Sequence, residues 1–275
     1  MKKAVIAITL FDMVFLLVLS IAGSIDGIFG EIAYYFSFII PLILALLYVK
    51  KANEDEIKPS APRIFPDANS VLYSLPVIAP FIAVVFLISF LTSLLLGALG
   101  FSDTTDVSGN ILFVIMKHAL LPAIFEEAVF RFIPIMLLAP YSKKNALVIS
   151  SLFFACIHCN LFQIPYALAA GFILSLLALA TGSVFPCIII HFLNNVASIL
   201  FMRYGQTPYF NLYFFASLGI LALVSVLFII IKRKTYSRVF EELKEDKCNV
   251  EFTLSAVLLV AMSLIIGVIN LWMQL

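Results

Sequence analysis

FNLYFFASLGILALVSVLFIII, residues 210–231, contains no charged side chain and is closed by Lys232, Arg233 and Lys234. A bilayer core of about 30 Å takes about 20 apolar residues of α-helix, so a run of this length reads as a membrane span. Outward from it, eight further apolar blocks fall near residues 4–22, 31–49, 71–99, 110–139, 145–158, 164–181, 184–203 and 252–273. The block 145–158 is short for a full span. Between the blocks stand conventional breaks: Lys50–Lys58 with Pro59 and Pro62, Gly100–Gly109, Pro140–Asn145 and the charged run Lys232–Glu251. No linker exceeds about 25 residues, well short of a separate domain. The expected fold is all-α: a polytopic transmembrane helix bundle of about eight or nine spans. It forms a single integral membrane domain over residues 1–275.

Composition agrees. Of the 275 residues, 63% are apolar and 12% charged, and the mean hydropathy is +1.13; soluble domains carry about 25% charged residues. Lys2 and Lys3 ahead of the first block resemble the start of a secretory signal, but the apolar run is long and a second span follows at once. An uncleaved first helix is the expectation.

Charge sets the orientation. With the N-terminus inside, 14 of the 17 Lys and Arg fall on the cytoplasmic side: Lys2, Lys3, Lys50, Lys51, Lys58, Arg63, Lys143, Lys144, Lys232, Arg233, Lys234, Arg238, Lys244 and Lys247. Arg203 alone sits outside, and Lys117 and Arg131 lie within the fourth block. This asymmetry predicts nine spans with the C-terminus outside, a multi-pass integral protein of the cell membrane if the source is prokaryotic. The net charge of +1 and the lack of a basic–aromatic patch exclude nucleic acid as a partner. Four scattered cysteines make no disulfide framework. Cys156 and Cys159 flank His158, and they read as small apolar filler on a helix face.

The informative residues are those a bilayer should reject. An ionisable group at mid-membrane costs about 2.5–3.5 kcal/mol on insertion scales, so it faces a polar cavity and works there. Three clusters qualify. Glu126-Glu127-Ala-Val-Phe-Arg131 lies in the fourth block. Glu127 and Arg131, four apart, share a helix face and can pair; Glu126 points about 100° away and should meet a different neighbour. Phe154-Ala-Cys-Ile-His158 ends the fifth block, and His191-Phe-Leu-Asn-Asn195 lies in the seventh. His191 and Asn195 project from one face and both can donate hydrogen bonds to an anion. Asn194 points elsewhere and reads as interhelical glue. His118, beside Lys117, reads as interfacial. Together the clusters supply a general base, two imidazoles and an amide donor, the parts needed to activate a water and hold an oxyanion. A structural ion-pair knot would account for Glu127 and Arg131 but would not need both histidines.

E-E-x-x-x-R, F-x-x-x-H and H-x-x-x-N, in that order on separate membrane helices, resemble the CAAX protease and bacteriocin-processing (CPBP, Abi) family, which includes the type II CAAX prenyl endopeptidases. The resemblance covers about residues 110–200, including Thr181-Gly182-Ser183 ahead of the His191 helix, and makes this stretch the expected catalytic core. It implies an intramembrane endopeptidase acting on a membrane-anchored or lipidated peptide, either a prenylated CAAX-type C-terminus or a membrane or leader peptide. Glu126 then looks like the catalytic base, working with His158 on the water. His191 and Asn195 look like the oxyanion pair, and Glu127 and Arg131 like supports. One Glu and two His can bind zinc. H-E-x-x-H is absent, however, and no metal or other cofactor is expected. Rhomboid-type G-x-S-G, paired G-x-G-D and G-x-S-x-G are missing too. Two other classes stay open: a non-catalytic immunity or scaffold protein of the same fold, and a secondary transporter, which usually shows inverted repeats not found here.

Overall fold

The computed structural model describes residues 1–22, 24–25, 27–52, 62–63, 68–102, 107–247, 249–250 and 252–273. Lys58 of the basic set lies outside them. The described chain is helical, and its one β-bridge joins Arg63 to Ser183. In order, the elements are α1 (Lys2–Ala22), α2 (Gly27–Ala52), α3 (Ala68–Ser74), α4 (Ile78–Ala98), α5 (Ile111–Ile115), α6 (Leu121–Glu127) and α7 (Ile133–Leu138). They continue with α8 (Lys143–Cys156), α9 (Ile164–Thr181), α10 (Phe185–Tyr204), α11 (Phe210–Ile231), α12 (Arg233–Glu245) and α13 (Leu254–Trp272).

Among the described residues six helices are long and apolar enough to cross a membrane: Lys2–Ala22, Ser70–Ala98, Ile164–Thr181, Phe185–Tyr204, Phe210–Ile231 and Leu254–Trp272. The other three expected spans take different forms. The apolar part of α2 is Ile32–Tyr48. Residues 111–138 wind continuously through α5, α6 and α7 but carry the charged cluster. The 14 residues of α8 rise only about 21 Å, less than a hydrocarbon core. Helix α11 has no buried residue. In water its exposed Phe215, Leu221 and Ile231 would be an aggregating surface, and against lipid they are matched.

The charged run after α11 is not the plain linker its composition suggested. It folds as α12, with Tyr236, Val239 and Leu243 on the inner side at helical spacing and Arg238 and Lys244 outside. Its Tyr236 hydroxyl donates to Tyr73 O (3.0 Å). Lys143 Nζ meets Glu242 (2.6 Å), and Ser142 Oγ and Lys144 N donate to Asp246. With Arg63, Lys143 and Arg238 around one polar pocket of about 300 Å³, these cations share one end of the bundle.

Lipid gives helices no hydrophobic drive to associate, so close packing and interhelical hydrogen bonds hold them. Gly171 of α9 lies so near Ser151 of α8 that an added Cβ would stand 2.9 Å from Ser151 O. The stretch 111–138 shows how the hydrogen bonds are won. It widens to π-helix over Met116–Leu120 and Ala128–Phe132, each time just before a proline, Pro122 and Pro134. A proline lacks the N–H and crowds the carbonyl four residues back, so the ladder opens there. For Pro134 that carbonyl belongs to Phe130, and the Ser150 hydroxyl of α8 donates to it. Ser175 of α9 completes the chain at 2.8 Å from Ser150. Three helices are thereby tied at the level of the charged cluster. Around it, buried side chains of α1, α2, α4, α7, α8, α9, α10 and α13 form one core.

Candidate active site

Glu126 and Glu127 are the last residues of α6, and Arg131 lies in the π-helical turn that follows. His191 and Asn195 stand on α10. His158 lies past the end of α8, in a turn whose Cys159 has a positive φ of 45°. These elements meet around the ring of Phe154.

His191 organises the cluster. Its Nδ1 is 2.8 Å from Glu127 Oε1, and because a carboxylate only accepts, the imidazole donates there. Its Nε2 is 3.8 Å from Glu126 Oε2. The two carboxylates thus flank one imidazole, where the sequence reading gave Glu126 a different neighbour. Side chains about 100° apart on α6 can reach opposite nitrogens of a ring set between them. Glu127 and Arg131 pair within the helix as expected, at 3.3 Å, with both side chains fully buried. The guanidinium makes no hydrogen bond; its Cζ lies 3.7 Å over the Phe154 ring, a cation–π contact.

Phe154 also fixes the histidines, with ring centroids 5.0 Å from His158 and 5.7 Å from His191, both edge-on. His158 Nδ1 is 2.8 Å from Phe154 O. A carbonyl only accepts, so Nδ1 carries the proton and Nε2 keeps its lone pair. No hydrogen bond or ion pair joins His158 to Glu126 among the described residues. Asn194 Nδ2 donates to Asn195 Oδ1 (3.4 Å). The Asn195 amide donors are unengaged among the described residues, and Asn194 is buried. His118 is exposed.

Burial separates the two glutamates. The Glu127 side chain is 0% exposed and Glu126 13%. Glu127 is committed to His191 and Arg131, whereas Glu126 makes no hydrogen bond among the described residues. Among the described residues no three His, Cys, Asp or Glu side chains converge to hold a metal ion. Cys156 and Cys159 are free thiols.

The sequence reading passed over two buried residues, Phe154 in the site and Asp12 outside it. Phe154 entered it only as the F of a motif, though its ring touches Arg131 and both histidines. Asp12, in the middle of α1, is 1% exposed with Oδ2 unpartnered. The signal for Asp12 was plain, a single acid inside an apolar block.

Residues 108–197 match the family model described as type II CAAX prenyl endopeptidase Rce1-like. No curated protein and no solved structure matches the chain. The matched stretch contains Glu126, Glu127, Arg131, His158, His191 and Asn195, and over those residues the chain is similar to the type II CAAX prenyl endopeptidases.

Proposed function

We propose that this chain is an intramembrane endopeptidase that hydrolyses a peptide bond of a membrane-associated substrate, a prenylated CAAX-type C-terminus or a membrane or leader peptide. The observation that carries the reading is the unequal commitment of the two glutamates. Glu127 is sealed and holds His191 and Arg131, while Glu126, without a hydrogen bond among the described residues, lies 3.8 Å from His191 Nε2. A gap of that width suits a bridging water.

In this mechanism Glu126 takes a proton from the attacking water, and the His158 Nε2 lone pair accepts the water's other hydrogen and orients it. The water oxygen adds to the scissile carbonyl. The oxyanion receives hydrogen bonds from His191 Nε2–H and the Asn195 amide, and the proton on Glu126 passes to the leaving amine as the C–N bond breaks. His191 donates through both nitrogens at this stage, one to Glu127 and one to the oxyanion. With Glu126 protonated, the Glu127 carboxylate and the oxyanion are offset by Arg131 and the imidazolium in a low-dielectric interior, where an unbalanced charge would be costly. Arg131 and Phe154 touch the histidines' surroundings and not the reacting atoms, so they are positioning residues.

The test is mass spectrometry of a farnesylated CAAX peptide and of an unprenylated membrane-anchored peptide, each incubated with purified protein in liposomes. One new peptide terminus, absent with Glu126→Gln, is expected. Intact substrates after incubation with folded wild-type protein overturn the proposal, and cleavage of one substrate alone assigns the class.

A further inference from the structure

We infer that the C-terminal helix α13, outside the family-matched segment, sets the position of His158, with Ser263 and Asn270 as positioning residues. The inference rests on the proposed role of His158 in hydrolysis. α8 ends two residues before His158, and there the chain keeps only tighter turn bonds, His158 N to Ala155 O (3.3 Å) and Cys159 N to Cys156 O (3.2 Å). The carbonyls of Cys156 and Cys159, on either side of His158, also accept from side chains of α13. Ser263 Oγ donates to Cys156 O (2.5 Å), and Asn270 Nδ2 donates to Cys159 O (3.1 Å). Between them Gly267 closes the contact: an added Cβ would stand 3.2 Å from Leu161 Cγ and 3.6 Å from Cys159 O.

Positions 263, 267 and 270 are four and three apart, so they form one face of α13. That face meets the turn along its whole length. The turn needs such support. Cys159 holds φ 45°, a left-handed conformation that non-glycine residues adopt only where the surroundings impose it. With the carbonyls of Cys156 and Cys159 fixed on either side, the backbone of His158 has one direction, and its Nδ1–H settles on Phe154 O (2.8 Å). Nε2 is left as the nitrogen that accepts from water. Ser263 and Asn270 touch neither substrate nor water; they act through His158.

The chain has 3 histidines, so protein carrying ¹⁵N-imidazole histidine in micelles gives three ring systems, and His158→Ala identifies one. Wild-type His158 should show the Nδ1–H tautomer. In Ser263→Ala with Asn270→Ala that pattern should shift toward a tautomer mixture. In parallel kcat should fall about 10–100-fold with KM nearly unchanged, the scale of misplacing a catalytic group by about 1 Å. Ser263→Thr, which keeps the hydroxyl, should restore both readouts against Ser263→Ala. The inference is overturned if, with an active wild type, kcat of the folded fraction is unchanged in the double variant, whatever the spectrum or the melting temperature does. It is also overturned if the His158 pattern is unmoved. If the pattern shifts as expected but the wild type cleaves nothing, the positioning by α13 stands and the hydrolytic reading falls.

Discussion

Exchanging each of the two adjacent glutamates for glutamine separates catalysis from support, because their surroundings differ. Glu127 receives the His191 Nδ1–H at 2.8 Å and faces Arg131 at 3.3 Å, with both side chains of the ion pair fully buried. Glu127→Gln keeps the size but removes the charge that pairs with Arg131, whose nitrogens make no hydrogen bond among the described residues. Breaking a buried pair from one side costs about 3–5 kcal/mol. At about 2–4 °C per kcal/mol for a chain of this size, the melting temperature should fall by roughly 6–20 °C. Glu126→Gln removes a carboxylate that has no hydrogen bond and stands 3.8 Å from His191. Stability should change little, and loss of one of two neighbouring negative charges can even raise it. Its rate, by contrast, should fall about 10²–10⁴-fold, the usual worth of a positioned general base. The assay is thermal melting in detergent beside cleavage of a membrane-anchored peptide in liposomes, with rates scaled to folded protein. A Glu127→Gln variant that melts like wild type and is inactive, together with an active Glu126→Gln, would refute the assignment and exchange the two roles.

Four further outcomes are expected. Ser150→Ala leaves the Phe130 carbonyl without its donor and should cost about 1–3 kcal/mol, read as a lower melting temperature with normal kcat in the folded fraction; an unchanged melting temperature would show that the π-helical turn does not need α8. The Lys143 hydrogen bond, with help from Arg238, holds the Glu242 carboxyl below its ordinary value of 4.5. Its stabilisation is therefore complete above that value and is lost as pH falls through the depressed one. For a partly exposed pair it is worth about 0.2–1 kcal/mol, so the melting-temperature gap between wild type and Glu242→Gln should be small and should close in acid; a gap independent of pH counts against the pair. Strong chelators should leave hydrolysis intact, whereas loss on chelation with recovery on added zinc would bring a metal into the site. Finally, Lys144→Cys and Lys234→Cys should label from one side of the membrane and Ser24→Cys from the other, and labelling of Lys144→Cys and Lys234→Cys from opposite sides would break the orientation read from charge.

Much of the fold was legible because a bilayer imposes a length. An uncharged run such as 210–231 has few alternatives to a lipid-facing helix, and α11 is one with no buried residue. What the sequence hid were features that need a partner to exist. Pro134 announces only that the Phe130 carbonyl is released; whether the helix kinks or opens into a π-turn depends on a donor, and Ser150 supplies it from another helix. Helix α12 was hidden by its composition. Weighing its charges obscured the spacing of Tyr236, Val239 and Leu243, which was the better guide to a helix lying against the bundle.

The site divides along the same line. Glu127 with Arg131 was readable because both sit on one helix, and four residues of spacing is a local property. The meeting of both glutamates at His191 was not, because it depends on how α10 crosses α6, 64 residues away in sequence. That crossing also explains why two acids side by side are tolerated in an apolar run. A single imidazole lies between them, Nδ1 2.8 Å from Glu127 and Nε2 3.8 Å from Glu126, while Arg131 pairs with Glu127. Removing His191 should therefore do more than delete an oxyanion donor, since it would leave two adjacent carboxylates facing one guanidinium. The residues of E-E-x-x-x-R meet the histidine of H-x-x-x-N, and the three motifs describe one polar cluster distributed over three helices.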